Sequence, residues 1–178
     1  MAHSGAPSPT QPLSHPRVLH LFRSLHTPPV VLSCPGVCIR PFRTQELDAY
    51  LALFGRAFRG LKPPVRPWDR RDFHRQMTAR PWWSPENCLL AWSNRPCRPR
   101  LLGSVTLVVL PGSEPRQGAV HWLMVAPEFR RRGLARVLLS HLEQRAWDQG
   151  VRLLRVETHA CWHAAVAFYR RCGYRTRQ

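Results

Sequence analysis

The sequence contains no apolar run long enough to span a membrane. Its longest apolar stretch, around residues 105–110, falls far short of the roughly 20 residues that a transmembrane helix needs. Acidic residues are scarce as well, 10 against 27 basic ones, which gives a formal charge of +17. That charge suits binding to nucleic-acid phosphates, but the basic residues are spread along the chain instead of forming one run. We therefore expect a soluble, cytoplasmic protein with no membrane partner, and nucleic-acid binding is the less favoured function.

The six cysteines lack the spacing of a zinc ribbon and the density of a disulfide-stabilised domain. We expect free thiols in a reducing compartment. His159, Cys161, His163 and Cys172 are residue types that bind zinc, but their spacing matches no known zinc pattern. The sequence therefore predicts no metal site.

The length of 178 residues and the apolar fraction of 44% predict one packed domain, which we place at residues 37–178. Residues 1–36 are rich in Pro, Ser and His and contain no acidic residue, so we expect a disordered extension there. Within this segment, residues 17–25 place apolar side chains at helical spacing between arginines. An organellar transit peptide is the alternative to a plain extension or an over-long start.

An anion-binding loop is predicted between a strand at residues 120–125 and a helix at residues 134–149. The first turn of a helix has backbone N–H groups without intrahelical partners, and the helix dipole adds partial positive charge there. Gly133 lets a ligand approach the backbone closely, and Ala135 is also small. The arginines at 130, 131 and 132 add charge at the same place. This arrangement suits a pyrophosphate.

The same residues resemble a known family. Arg130, Gly133 and Ala135 match the pyrophosphate-binding pattern of the GNAT superfamily N-acetyltransferases. The segment AAVAFYRRCGY, residues 164–174, resembles the last helix of that family and follows after a predicted helix and a strand at residues 152–158. The resemblance covers residues 37–174 and implies an α+β fold with a mixed central sheet flanked by helices.

In this family two further strands follow the last helix and complete the sheet. Here only four residues follow Tyr174, so these C-terminal strands are expected to be missing. The strand at residues 152–158 would then have an open edge of unpaired backbone groups. A homodimer through that edge is therefore a possible partner interaction.

The resemblance also implies acetyl-CoA as the co-substrate. Its pantetheine arm would bond to the backbone of Met124, Val125 and Ala126, where two strands splay apart. Its phosphates would lie on the loop and helix start, at Arg130, Arg131, Arg132, Gly133, Leu134 and Ala135. Trp162 departs from the family pattern, because many members have an asparagine there that helps to hold the coenzyme.

Three residues are candidates for catalysis. Tyr169 matches the family position that often serves as the general acid for the departing thiolate, and the alternative is a packing tyrosine. For the base we consider His121, Glu157, or neither. His121 is predicted to share a strand face with Leu123 and Val125, and Glu157 closes the following strand.

The predicted function is that of an acetyl-CoA-dependent N-acetyltransferase. Its acceptor would be an amine of a small molecule or of a protein, which the sequence does not identify further. The alternatives are a non-catalytic acyl-CoA-binding module, a truncated pseudo-enzyme and, less favoured, a basic nucleic-acid-binding protein.

Overall fold

A six-stranded mixed sheet forms the centre of the computed structural model, which describes residues 17–95, 99–113 and 116–177. Strands β2 to β5 form an antiparallel meander, β5 and β6 run parallel, and β1 runs antiparallel to β6. The order across the sheet is β1-β6-β5-β4-β3-β2. The predicted α+β class with a mixed sheet is confirmed. The strands are β1 (Val18–Ser24), β2 (Val37–Pro41), β3 (Cys88–Ser93), β4 (Leu101–Val109), β5 (Gln117–Val125) and β6 (Leu153–His159).

Helices lie on both faces of this sheet. They are α1 (Leu47–Ala57), α2 (Arg70–Phe73), α3 (Leu134–Asp148) and α4 (His163–Arg171). Helix α2 continues into the π-helical turn His74–Thr78. Within the described ranges, no helix has both the length and the apolar character needed to cross a membrane.

The core has one hydrophobic cluster on each face of the sheet. On the first, Tyr50 and Phe54 of α1 pack with Phe73 of α2 and Met124 of β5, and we call this side the α1 face. On the second, α3 and α4 pack on the side chains of β1, β4 and β6, and we call this side the α3 face. Burying each large apolar side chain contributes roughly 1.5–3 kcal/mol.

The prediction of a disordered N-terminal extension is wrong for residues 18–24. All seven residues of β1 pair antiparallel with β6, and Leu21 is fully buried. The same segment also contains Leu19, which lies with Leu21 and Leu25 on alternating positions, the period of a strand. Short apolar runs cannot be assigned by periodicity alone, and the neighbouring edge of β6 decides in favour of a strand. Residues 1–16 of the predicted extension lie outside the described residues.

The segment after β1 also contacts the domain. The backbone N–H of Leu32 donates to Ser140 Oγ at 3.0 Å, and His141 Nε2 lies 3.2 Å from the Leu32 carbonyl oxygen. Both partners belong to α3. The folded domain therefore includes residues before position 37, where we expected it to begin.

The expected open edge of β6 is also wrong, because β1 occupies it along its whole length. The opposite side of β1 begins to pair as well: the N–H of Phe22 donates to the Arg175 carbonyl at 2.7 Å, and the N–H of Arg175 donates back at 2.8 Å. The dimer prediction rested on unpaired backbone groups of β6, so it loses its basis.

A polar cluster fixes β1 to α3 and to the end of the chain. Arg23 Nη1 donates to Glu143 Oε1 at 2.8 Å and to the Cys172 carbonyl at 2.7 Å. The hydroxyl of Tyr174 donates to the same Glu143 oxygen at 3.2 Å. Burial raises the pKa of the Glu143 carboxyl above its usual range, and the guanidinium of Arg23 partly offsets that shift. Arg23 is therefore the cation that makes a buried carboxylate tolerable here.

Replacing this cation should destabilise the fold. Arg23→Met would leave the buried Glu143 without its ion pair, and we expect the free energy of unfolding to fall by about 3 kcal/mol. The loss should shrink as pH is lowered, since the raised pKa means that Glu143 is protonated early and then needs no cation. Urea denaturation at several pH values measures both effects. Arg71→Met is the control, because Arg71 is exposed and has no ion pair within the described part of the chain. Equal stability of the two variants would contradict the role of Arg23.

Candidate active site

Strands β5 and β6 separate after a short paired stretch. Residues 117–119 of β5 pair with residues 153–155 of β6, and the pairing recorded between these two strands ends there. Beyond it a cleft of about 1370 Å³ opens, lined by both strands, the start of α3 and the length of α4. The splay of strands that the family resemblance implied is thus present in this chain.

A β-bulge in β5 lies at the mouth of this separation. His121 is opposite Thr106 and Met124 is opposite Ser104, so β5 has one more residue than β4 over this stretch. Trp122, within the bulge, has a φ of +47°. Bulges bend a strand and increase its twist, which turns the end of β5 away from β6.

The predicted orientation of His121 is wrong because of this bulge. Strand alternation predicted that His121 shares a face with Leu123 and Val125. In the structure those two belong to the α3 face, whereas the His121 ring lies 5.4 Å from the rings of both Trp82 and Trp122, whose side chains pack on the α1 face. The extra residue shifts the alternation by one position, so His121 reaches the cleft from the α1 face.

The loop before α3 has the free donors that the sequence predicted. Gly133 has a φ of +80°, and a Cβ built there would meet no atom within 4 Å. Across the described residues, no acceptor bonds to the backbone N–H groups of residues 131–135, and the first N–H groups bonded within the helix are those of Arg136 and Val137. This segment is therefore a cluster of backbone donors at the N-terminus of a fifteen-residue helix, the arrangement that binds phosphates.

The three loop arginines have different environments. Arg130 donates from Nε to the Val125 carbonyl at 3.2 Å and from Nη2 to the Ala57 carbonyl at 2.5 Å, so it braces the loop against β5 and α1. The guanidinium of Arg132 lies 5.4 Å from the centre of the Phe129 ring, and Arg132 does not line the cleft. Arg131 does line it, as does Arg136, which the sequence analysis did not select.

Among the predicted backbone contacts, Val125 is the one turned toward the cleft. The N–H of Ala126 is already bonded to the Leu102 carbonyl of β4 at 2.8 Å. Because successive residues of a strand point their backbone groups to opposite sides, the N–H and C=O of Val125 point away from β4. Met124 and Val125 line the cleft together with Gly133, Leu134 and Ala135.

Tyr169 of α4 lines the cleft from the α3 face. Its ring packs 5.6 Å from that of Tyr174 and 5.2 Å from that of Phe168. Its hydroxyl has no partner within the described ranges, and burial raises its pKa well above the usual range. The phenol therefore stays protonated at physiological pH and has a hydrogen to donate.

The two candidate bases lie on opposite walls of the cleft. Burial, and secondarily the charge of Arg80, lower the pKa of His121 to about 4, so its imidazole is neutral at physiological pH. Glu157 is exposed on β6, and its Oε1 lies 3.6 Å from Nδ1 of His20 on β1. His20 was not considered from the sequence, because its segment was expected to be disordered.

Sequence reasoning also missed a set of buried polar atoms around the cleft. Three lining residues have a buried side-chain nitrogen without a hydrogen-bond partner in the described structure: Trp122 Nε1, Arg155 Nε and His159 Nδ1. The signal that could have found two of them is the alternation of Arg155, Glu157 and His159 on one face of a strand. Trp162, at the position of the family's asparagine, instead donates from Nε1 to the Lys62 carbonyl at 3.0 Å.

Solved structures define the class of this fold. A GCN5-related N-acetyltransferase from Sphaerobacter thermophilus superposes with a TM-score of 0.73 at 21% identity, over 90% of this chain and 48% of that one. The ribosomal-protein-S18-alanine N-acetyltransferase of Escherichia coli gives 0.60 at 22% identity, over 80% of this chain and 79% of that one. Both similarities show the GNAT acetyltransferase fold.

The family follows from the sequence comparisons. The profile of the Acetyltransferase (GNAT) family matches residues 48–174. A mycothiol acetyltransferase from Cellulomonas flavigena is 33% identical over 161 residues, which span 84% of this chain and 43% of that protein. The chain belongs to the GNAT acetyltransferase family and spans less than half the length of this curated relative. The predicted family is confirmed.

If the backbone N–H groups before α3 bind the coenzyme's phosphates, a side chain added beside them should weaken coenzyme binding. Gly133→Glu would place a side chain and a negative charge beside the N–H groups of residues 131–135. We expect the affinity for coenzyme A to fall by roughly 100-fold, since hydrogen bonds to charged groups contribute about 1.5–3 kcal/mol each. Calorimetric titration measures it.

Gly150→Glu is the matched control for this variant. Gly150 follows the other end of α3, has a φ of +75° and also has open space around a built Cβ. Backbone strain should therefore be similar in both variants, and only Gly133→Glu should lose coenzyme. Equal affinities for coenzyme A would contradict the assignment of the anion site.

Proposed function

We propose that this chain is an N-acetyltransferase that binds acetyl-CoA in the cleft between β5 and β6 and transfers the acetyl group to an amine. The observation that carries this proposal is the separation of the two strands beside the unbonded N–H groups of residues 131–135. A thioester arm needs a slot through the sheet, and a pyrophosphate needs clustered donors. This cleft offers both within one continuous space.

The coenzyme's phosphates would bind the backbone donors before α3, assisted by the charges of Arg131 and Arg136. Its pantetheine arm would follow β5, where the backbone N–H of Val125 supplies a donor on the cleft side. The thioester would then lie between β5 and β6, near Tyr169. Arg130 would support this arrangement indirectly, because its contacts hold the loop to β5 and α1.

In the reaction the nitrogen of a neutral amine attacks the thioester carbonyl. A C–N bond forms, the C–S bond breaks, and the amine gives up one proton while the departing thiolate takes one. Tyr169 would donate to the thiolate from its unpartnered hydroxyl, although the raised pKa that keeps the phenol protonated also makes it a weaker acid. The unpartnered hydroxyl of this cleft-lining residue favours a donor over a tyrosine that only packs.

The two faces of the sheet would then divide the chemistry. Tyr169 reaches the cleft from the α3 face and His121 from the α1 face. The amine would therefore approach from the α1 face, opposite the acid. His121 is neutral at physiological pH, so its free ring nitrogen can take a proton directly or through water, but its lowered pKa makes it a weak base. Exposed Glu157 can accept a proton on the other wall. Both remain candidates for the base.

The cytoplasmic location stays a prediction.

Removing the Tyr169 hydroxyl tests the proposed acid. Tyr169→Phe should lower kcat by roughly 100-fold, within the usual range for general acid catalysis, and leave the affinity for acetyl-CoA unchanged. Release of coenzyme A with a reactive amine measures kcat. Tyr50→Phe is the control, because Tyr50 has an unpartnered hydroxyl as well but does not line the cleft. Unchanged turnover in Tyr169→Phe would make this residue a packing tyrosine. Coenzyme binding without turnover of any amine would favour the non-catalytic module.

A further inference from the structure

Arg155 of β6 is a half-buried cation without a described partner. It lines the cleft, its Nε atom is buried, and none of the described residues accepts a hydrogen bond from its guanidinium or forms an ion pair with it. Other arginines of comparable exposure have partners, as Arg23 has Glu143 and Arg40 has Glu46. A buried donor that stays unbonded is costly, more so for a charged group, so this residue is poised for an anionic ligand.

The coenzyme's phosphates are not placed to be this ligand. Leu154 and Val156 belong to the cluster on the α3 face, where the N-terminus of α3 and its free donors lie. Because side chains alternate along a strand, Arg155 projects from the opposite side, the α1 face. This is also the face from which His121 reaches the cleft, so Arg155 lies on the acceptor side.

The charges beside Arg155 indicate what kind of anion fits. Glu157 lies two positions along β6 on the same face, about 6.6 Å away at the usual rise per residue. Among the described residues that line the cleft, Glu157 is the single acidic one, and it forms no ion pair with Arg155. The two residues therefore offer one positive and one negative group side by side. A zwitterion matches this pair, whereas a doubly charged phosphate would be repelled by Glu157.

We propose that the acceptor is a small amine that also carries a carboxylate, as in an amino acid. This inference rests on the proposed acetyltransferase function. The carboxylate binds the guanidinium of Arg155 through paired hydrogen bonds, the geometry for which arginine is suited. The ammonium group lies beside Glu157 and loses a proton to that carboxylate or to water before its nitrogen attacks the thioester. Lys62 and Arg80, which also line the cleft, add positive potential that favours an anionic acceptor.

The test compares amines that differ only in the carboxylate. Amino acids whose amino group stands one, two or three carbons from the carboxyl carbon are assayed beside their carboxamides, with acetyl-CoA as donor. The N-acetylated products are quantified by mass spectrometry, and kcat/KM is corrected for the fraction of free amine. For at least one of these pairs the carboxylate should exceed its amide by 10-fold or more, on the order expected when a site's charged donor loses its acceptor.

Arg155→Gln should remove this preference by lowering kcat/KM for the carboxylate by roughly 100-fold while hardly changing that for the amide. Acetyl-CoA affinity should stay at the wild-type value, which also shows that the variant is folded. Arg71→Gln, which removes an exposed positive charge outside the cleft, should keep the preference.

Several results would overturn the inference. They are equal or faster acetylation of the amides by the wild-type protein, an unchanged preference in Arg155→Gln, and a coenzyme-bound protein that acetylates none of the carboxylated amines. Failure of the wild-type protein to bind acetyl-CoA would instead overturn the proposed function, and this inference with it.

Discussion

The separation of β5 from β6 depends on backbone hydrogen bonds that β6 makes elsewhere. A strand that leaves its neighbour exposes N–H and C=O groups on that side, and it stays ordered only if its other side is paired. Here β1 pairs with β6 over all seven residues, and β4 holds β5 up to the bulge and beyond it. The Arg23–Glu143 contact then fastens β1 to α3, the helix whose N-terminus borders the cleft. The N-terminal segment is thus a structural condition for the site.

The cleft between β5 and β6 connects the α1 face and the α3 face of the sheet, which continuous strand pairing would separate. Backbone donors at the start of α3 and the hydroxyl of Tyr169 reach the space from one side, and His121 and Arg155 reach it from the other. In the proposed reaction, anion binding and proton donation would therefore take place on one face and acceptor recognition on the other. Part of the formal charge of +17 is concentrated at the cleft. Within the described chain, its lining contains several arginines and a single acidic residue, Glu157.

The parts of the site that could be predicted from sequence are those built from neighbouring residues. Gly133 and its flanking positions form the loop as expected, because a helix start creates its own free donors and needs no distant residue. The environments of Arg130 and Arg132 were not predictable. One bonds to Ala57, 73 residues away, and the other packs on Phe129. His121 was assigned to the wrong face because a bulge in β5 leaves no clear mark in the sequence.

The sequence by itself determined the family, through the resemblance of its motifs, the mixed α+β class, the glycine loop before α3 and the helix that carries Tyr169. The loop and the helix follow from the local spacing of apolar residues, glycine and arginine, which does not depend on tertiary contacts. Only the tertiary structure decided that residues 18–24 form a strand, that β6 has no open edge, and that Arg155 projects from the α1 face. Strand pairing and side-chain burial join residues more than a hundred positions apart, as Leu21 and Val156 show, and no local pattern contains that information.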